Sequence, residues 1–81
     1  MSSGPWSDAE NDLTVASYFA MLAEEVAGRR YNKAAYRRAL LPLLRNRPEG
    51  AIEFKHQNIS AVLKGLGEIW IQGYKPVDPG L

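Results

Sequence analysis

Ser7-Asp8-Ala9-Glu10 is the stretch from which the fold can be read. It has the form of a capping box: the Ser7 side chain accepts from the backbone N–H at Glu10, and the Glu10 carboxylate reaches back to the N–H of Ser7. Asp8, Glu10 and Asp12 also suit the positive end of a helix dipole. Beyond them Leu13, Ala16, Phe19 or Ala20, Leu22 or Ala23, and Val26 recur at helical spacing and are the expected apolar face. Gly28 is a natural stop. The first helix is therefore expected at about residues 8–27.

Working outward, Asn32 suits the N-cap of a second helix running through Lys33, Ala35, Tyr36, Ala39, Leu40, Leu43 and Leu44. Pro42 lies inside that pattern. It lacks a backbone donor and crowds the Arg38 carbonyl, so the helix should kink or restart there. Pro48 fits the first turn of a third helix, with Glu49 beside it at the positive end. Ile52, His56, Ile59, Leu63 and Leu66 come next on one stripe, and Glu53, Gln57, Ser60 and Lys64 are expected opposite. Gly65 and Gly67 should end it. The segment Glu68–Tyr74 reads either as a short strand or as an irregular arm packed on the helices. The expected class is all-α: a compact three-helix, helix-turn-helix-like domain with a kinked second helix and a short extended C-terminal arm. A flexible start at 1–6, one domain at 7–76 and a tail at 77–81 complete the layout.

The length of 81 residues suits one domain with a thin stability margin. The chain contains no cysteine, which excludes disulfides and thiolate chemistry and fits a reducing, cytoplasmic setting. No apolar run approaches the roughly 20 residues that span a bilayer, and Met1–Pro5 lacks the pattern of a signal peptide. No membrane partner is expected. His56 is the single histidine, so no His-x-x-x-His metal pair and no Ser-His-Asp set can be assembled. Glu24 and Glu25 are adjacent and point to different helix faces. Gly65-Leu66-Gly67 lacks the rest of any phosphate loop. Neither catalysis, a cofactor nor a small-molecule substrate is expected. His56 reads as a half-buried ring with one hydrogen bond. Trp6, Trp70, Phe19 and Phe54 read as core rather than a base-stacking platform.

Charge is unevenly spread. Between Gly28 and Pro48 there is no acid, while Arg29, Arg30, Lys33, Arg37, Arg38, Arg45 and Arg47 all fall there. Such a block is either a solvated helix face or the footprint of a protein that touches a polyanion.

Two resemblances bear on that choice. Trp6-Ser7-Asp8-Ala9-Glu10 resembles the Trp-Ser/Thr-x-x-Glu opening of Myb-like tri-helical domains. Arg47-Pro48-Glu49-Gly50-Ala51-Ile52, with Lys55 and Asn58 after it, resembles the entry to their DNA-reading helix. The middle helix has no tryptophan, and His56 stands where the Myb pattern has another. The resemblance thus implies the tri-helical plan rather than the family proper. Over nearly the whole chain, Val15–Leu22, Tyr31–Ala34, Ile52–Leu63 and Gly73–Pro76 look like the N-terminal head module of McrA-like, modification-dependent HNH restriction endonucleases and related bacterial proteins. That resemblance implies an appendage helping a larger protein engage DNA, with nuclease residues in a separate domain.

The leading expectation is an accessory module for double-stranded DNA. Arg29, Arg30, Lys33, Arg37, Arg38, Arg45 and Arg47 would contact phosphates, while Lys55, Gln57 and Asn58 from the third helix would address base edges. Glu49 and Glu53 weaken that reading by placing acids near phosphates. The alternative is a protein-interaction or dimerisation module, pairing with a sister chain or a downstream nuclease domain. An exposed apolar patch containing Val62, Phe54 or Trp70 would favour the alternative. A continuous positive face beside the third helix would favour DNA.

Overall fold

In the computed structural model, which describes residues 5–77, three α-helices form one all-α unit. α1 spans Asp8–Val26, α2 spans Lys33–Leu40 and α3 spans Glu49–Gly65, with a 3-10 turn at Leu41–Leu43 after α2. The local signals act where they stand. Ser7 Oγ accepts from the Glu10 N–H at 3.1 Å while Glu10 Oε1 accepts from the Ser7 N–H at 3.0 Å. Asn32 Oδ1 accepts from the Ala35 N–H at 3.2 Å, closing the start of α2. Gly28 comes after α1 at φ 74°, a left-handed backbone that glycine adopts without a Cβ clash.

Where a kink or restart was expected at Pro42, α2 instead ends at Leu40 and a 3-10 turn containing Pro42 redirects the chain beyond it. Within the 3-10 turn the helical phase is lost, so Leu44 goes inward while Leu43 is left exposed. A single apolar face through both residues is therefore not formed. Leu40 and Leu44 meet Ile52 of α3 in one core cluster, with Trp6 and Leu41 packed on it. Pro5 and Trp6 are already part of the fold: the Pro5 carbonyl accepts from Arg47 Nη2 at 2.9 Å. Residues 1–4 and 78–81 lie outside the described part.

α1 turns inward the opposite side from the expected one. Its buried residues are Glu10, Thr14, Tyr18 and Met21, whereas Leu13, Val15, Ala16, Phe19, Ala20, Ala23 and Val26 are exposed. The reason is a set of polar ties made by the inner face. Thr14 satisfies itself by donating to the Glu10 carbonyl at 2.8 Å. The Tyr18 hydroxyl lies 2.7 Å from Ser60 Oγ on α3. Ser60 is therefore buried, not on the outer side of its helix.

The tail is an irregular arm; no strand occurs among the described residues. Ile71 and Tyr74 enter the second core cluster with Tyr18 and Met21. Three ties hold the arm. The Ile71 N–H donates to Tyr18 Oη at 2.9 Å, the Gln72 N–H donates to Glu25 Oε2 at 3.0 Å, and Lys33 Nζ donates to the Gly73 carbonyl at 2.9 Å. These backbone groups find partners on the helices, which is what permits an arm without a sheet.

Candidate interaction surface

The residues of the basic block differ in exposure and in partner. Arg47 is corrected outright from a phosphate contact to a buried residue, 5% exposed. Its Nη2 and Nε lie 2.8 and 3.1 Å from the two carboxylate oxygens of Glu10, and its guanidinium stacks 4.8 Å from the Trp6 ring. The Arg45 N–H also donates to Glu10, at 2.9 Å. The Arg47 side chain, then the Arg45 and Ser7 backbone donors, hold the Glu10 carboxyl far below the usual carboxylate range, despite the opposing effect of burial. The same pairing raises the Arg47 pKa. The cluster joins the two motifs at Trp6–Glu10 and Arg47–Ile52 into a structural clamp.

The other cations are divided among separate duties. Arg29 forks onto Glu24 from Nε and Nη2, at 2.9–3.2 Å. Lys33 is spent on the Gly73 carbonyl and sits 4.0 Å from the Tyr74 ring centroid. Arg37 is half-buried, with Nε 3.6 Å from Glu49 on α3. Arg30, Arg38 and Arg45 are exposed, lying respectively after α1, on α2 and beyond the 3-10 turn. On α3 the three base-reading candidates are all half-buried. Lys55 Nζ stands 5.0 Å from the Trp6 ring, and Lys55 and Asn58 line a groove against Asn11, Thr14 and Val15 of α1. Gln57 is not among the residues lining that groove.

What α1 and α3 do present is apolar. From Leu13 to Ala23 the chain carries no charge, and the exposed residues of that stretch are Leu13, Val15, Ala16, Phe19, Ala20 and Ala23. Phe19 is 46% exposed, and Val26 at the end of the same helix is 64% exposed. On α3, Phe54 and Val62 are 56% and 63% exposed. Phe19 and Phe54 are therefore not the core residues they were expected to be. The α1–α3 groove, about 270 Å³, is lined by the apolar Val15, Ile59 and Val62 together with the amides of Asn11 and Asn58.

Polarity is inverted along part of these two helices, while Met21 and Ile52 are buried in the ordinary way. Thr14, Tyr18, His56 and Ser60 occupy the interior, while Val15, Phe19, Phe54 and Val62 meet solvent. A helix of an isolated domain ordinarily shows the reverse. His56 is fully buried rather than half-buried, its ring 4.6 Å from that of Tyr74, and neither ring nitrogen has a hydrogen-bond partner among the described residues. Burial first, and the charge of Lys33 second, push its pKa down to about 4. The ring is neutral at pH 7 and serves as packing.

Among the described residues no group of three or more His, Asp or Glu is placed to hold a metal ion, and no helix is long and apolar enough to cross a membrane. No known protein family, curated protein or solved structure matches this chain.

Proposed function

We propose that this domain is a protein-interaction module whose docking surface is the uncharged outer side of α1 together with the adjoining edge of α3. The observation that carries the reading is the partly inverted polarity of α1: beside buried Met21, its hydroxyl-bearing residues Thr14 and Tyr18 are buried while Val15 and Phe19 are exposed. Large apolar side chains grouped on one surface mark a site that another surface covers. The resemblance to an N-terminal head module fits this role, since a head must attach to the body it serves.

Accessory contact with double-stranded DNA is the second reading. Arg30 and Arg38 favour it, being exposed and without an ion pair among the described residues. The two readings separate in a fluorescence-anisotropy titration with duplex DNA at low and moderate salt. An interaction module shows no saturable binding that the Arg30→Ala/Arg38→Ala double variant removes. Salt-sensitive binding lost in that variant establishes the DNA role instead, because phosphate contacts release counterions.

A further inference from the structure

We infer that the occupant of the α1 surface is a second copy of this chain, with the two α1 helices packed antiparallel about a two-fold axis. The inference rests on the interaction-module reading and specifies its partner. Val15, Phe19, Leu22 and Val26 are spaced four, three and four residues apart, the interval that keeps a seam on one side of a helix against a second helix. Within the monomer the seam is largely open: Val15, Phe19 and Val26 are exposed and Leu22 is half-buried.

The seam is also its own complement. The midpoint between Ala20 and Met21 is equally far from Phe19 and Leu22, and equally far from Val15 and Val26. A two-fold axis through that point sets Phe19 of each copy against Leu22 of the other, and Val15 against Val26. Large meets medium at the centre and valine meets valine at both ends. That is the self-complementarity an isologous interface requires. A parallel pairing instead sets Phe19 on Phe19 and aligns the two helix dipoles in the same sense.

Charge agrees with the antiparallel sense. The same axis carries exposed Asp12 of one copy to the C-terminal end of α1 of the other, after which exposed Arg30 follows. The two helix dipoles then oppose each other. Val62 of α3 lies beside Val15 at the groove and widens the patch where Val26 of the second copy arrives. Two helices of this length meet over only about 28 Å, so the dimer is a weak one, below the standard interface of about 800 Å² per partner.

Sedimentation equilibrium of the full chain from roughly 10 µM to 1 mM tests the association. A reversible monomer–dimer equilibrium is expected. Phe19→Glu and, independently, Val26→Glu should each raise its dissociation constant more than about tenfold, since each places two carboxylates in the seam. Both residues are exposed, so both variants should keep the wild-type helical circular dichroism. Spin labels then read the orientation. In the dimer proposed, labels at Asp12→Cys stand about 25 Å apart along the helix axis and labels at Ala23→Cys about 8 Å. Equal, short separations at both positions overturn the antiparallel geometry. A chain that stays monomeric throughout overturns the inference. If that monomer still binds an apolar dye that Phe19→Glu abolishes, the docking surface stands and only its occupant was wrong; with no dye bound either, both readings fall.

Discussion

Replacing Tyr18 by phenylalanine removes one oxygen that serves two partners. The Ile71 N–H donates to it at 2.9 Å, and Ser60 Oγ lies 2.7 Å from it. With Oη accepting from Ile71, its proton is available to Ser60, so the hydroxyl joins α1, α3 and the arm in one connection. Ile71 is fully buried, so in the variant its N–H loses its acceptor away from water. An unsatisfied buried donor costs about 1–3 kcal/mol, and in a domain of this size each 1 kcal/mol moves Tm by about 4–8 °C. Tyr18→Phe should thus lower Tm by about 8–16 °C, for a loss near 2 kcal/mol. Ser60→Ala keeps the Ile71 bond and should cost about 1 kcal/mol. Thermal and urea unfolding, with native-state amide exchange, is the assay. Tyr18→Phe should accelerate exchange at Ile71 beyond its effect on α1 amides, as the arm opens ahead of the bundle. A Tm change under about 3 °C, or a Ser60→Ala loss exceeding that of Tyr18→Phe, refutes the reasoning.

Stability should fall on mild acidification. His56 has its pKa lowered from 6.5 to about 4 in the fold, so between these values the unfolded chain binds the extra proton. The stability due to its neutral state is complete above pH 6.5 and is lost as the pH drops toward 4. His56→Phe should leave stability at pH 7 unchanged or higher and flatten this limb in pH-dependent thermal melts. A second limb belongs to Glu10, whose folded pKa lies below its ordinary 4.5; its contribution is present above that value and is lost below it. Glycine exchanges should separate by backbone conformation. Gly65→Ala, in α3 with open space around a new Cβ, should raise stability by about 0.5–1 kcal/mol. Gly67→Ala, at φ 73°, should lower it by about 1–2 kcal/mol, both read from urea midpoints.

What is legible in this sequence is whatever acts within a turn or two of itself. The Ser7–Glu10 box, the Asn32 cap, the Gly28 stop and the break at Pro42 each involve near neighbours along the chain, and each sits where its residue type places it. The three-helix class comes from them. Which face of a helix turns inward is a different matter, because long-range polar pairs decide it. Tyr18 and Ser60 are 42 positions apart, and Glu10 and Arg47 are 37 apart. On periodicity alone Ser60 looks outward-facing and Leu13 and Phe19 inward-facing. Hydrogen bonding reverses both sets. The buried Glu10–Arg47 pair likewise turns a cation that reads as a phosphate contact into a clamp. One signal for the surface was present in the chain from the start: the eleven uncharged residues from Leu13 to Ala23 leave that length of α1 no charged outer side, whichever face it buries.

The most direct test of the central claim is saturation binding of bis-ANS to the folded chain at a concentration where it is monomeric. A saturable site with fluorescence enhancement is expected in the wild type. Binding should be lost in Phe19→Glu and in Val62→Glu and retained in the Arg30→Ala/Arg38→Ala variant, with all three melting cooperatively. Dye binding that is absent from the folded wild type, or indifferent to Phe19 and Val62, contradicts an apolar docking surface on α1 and α3.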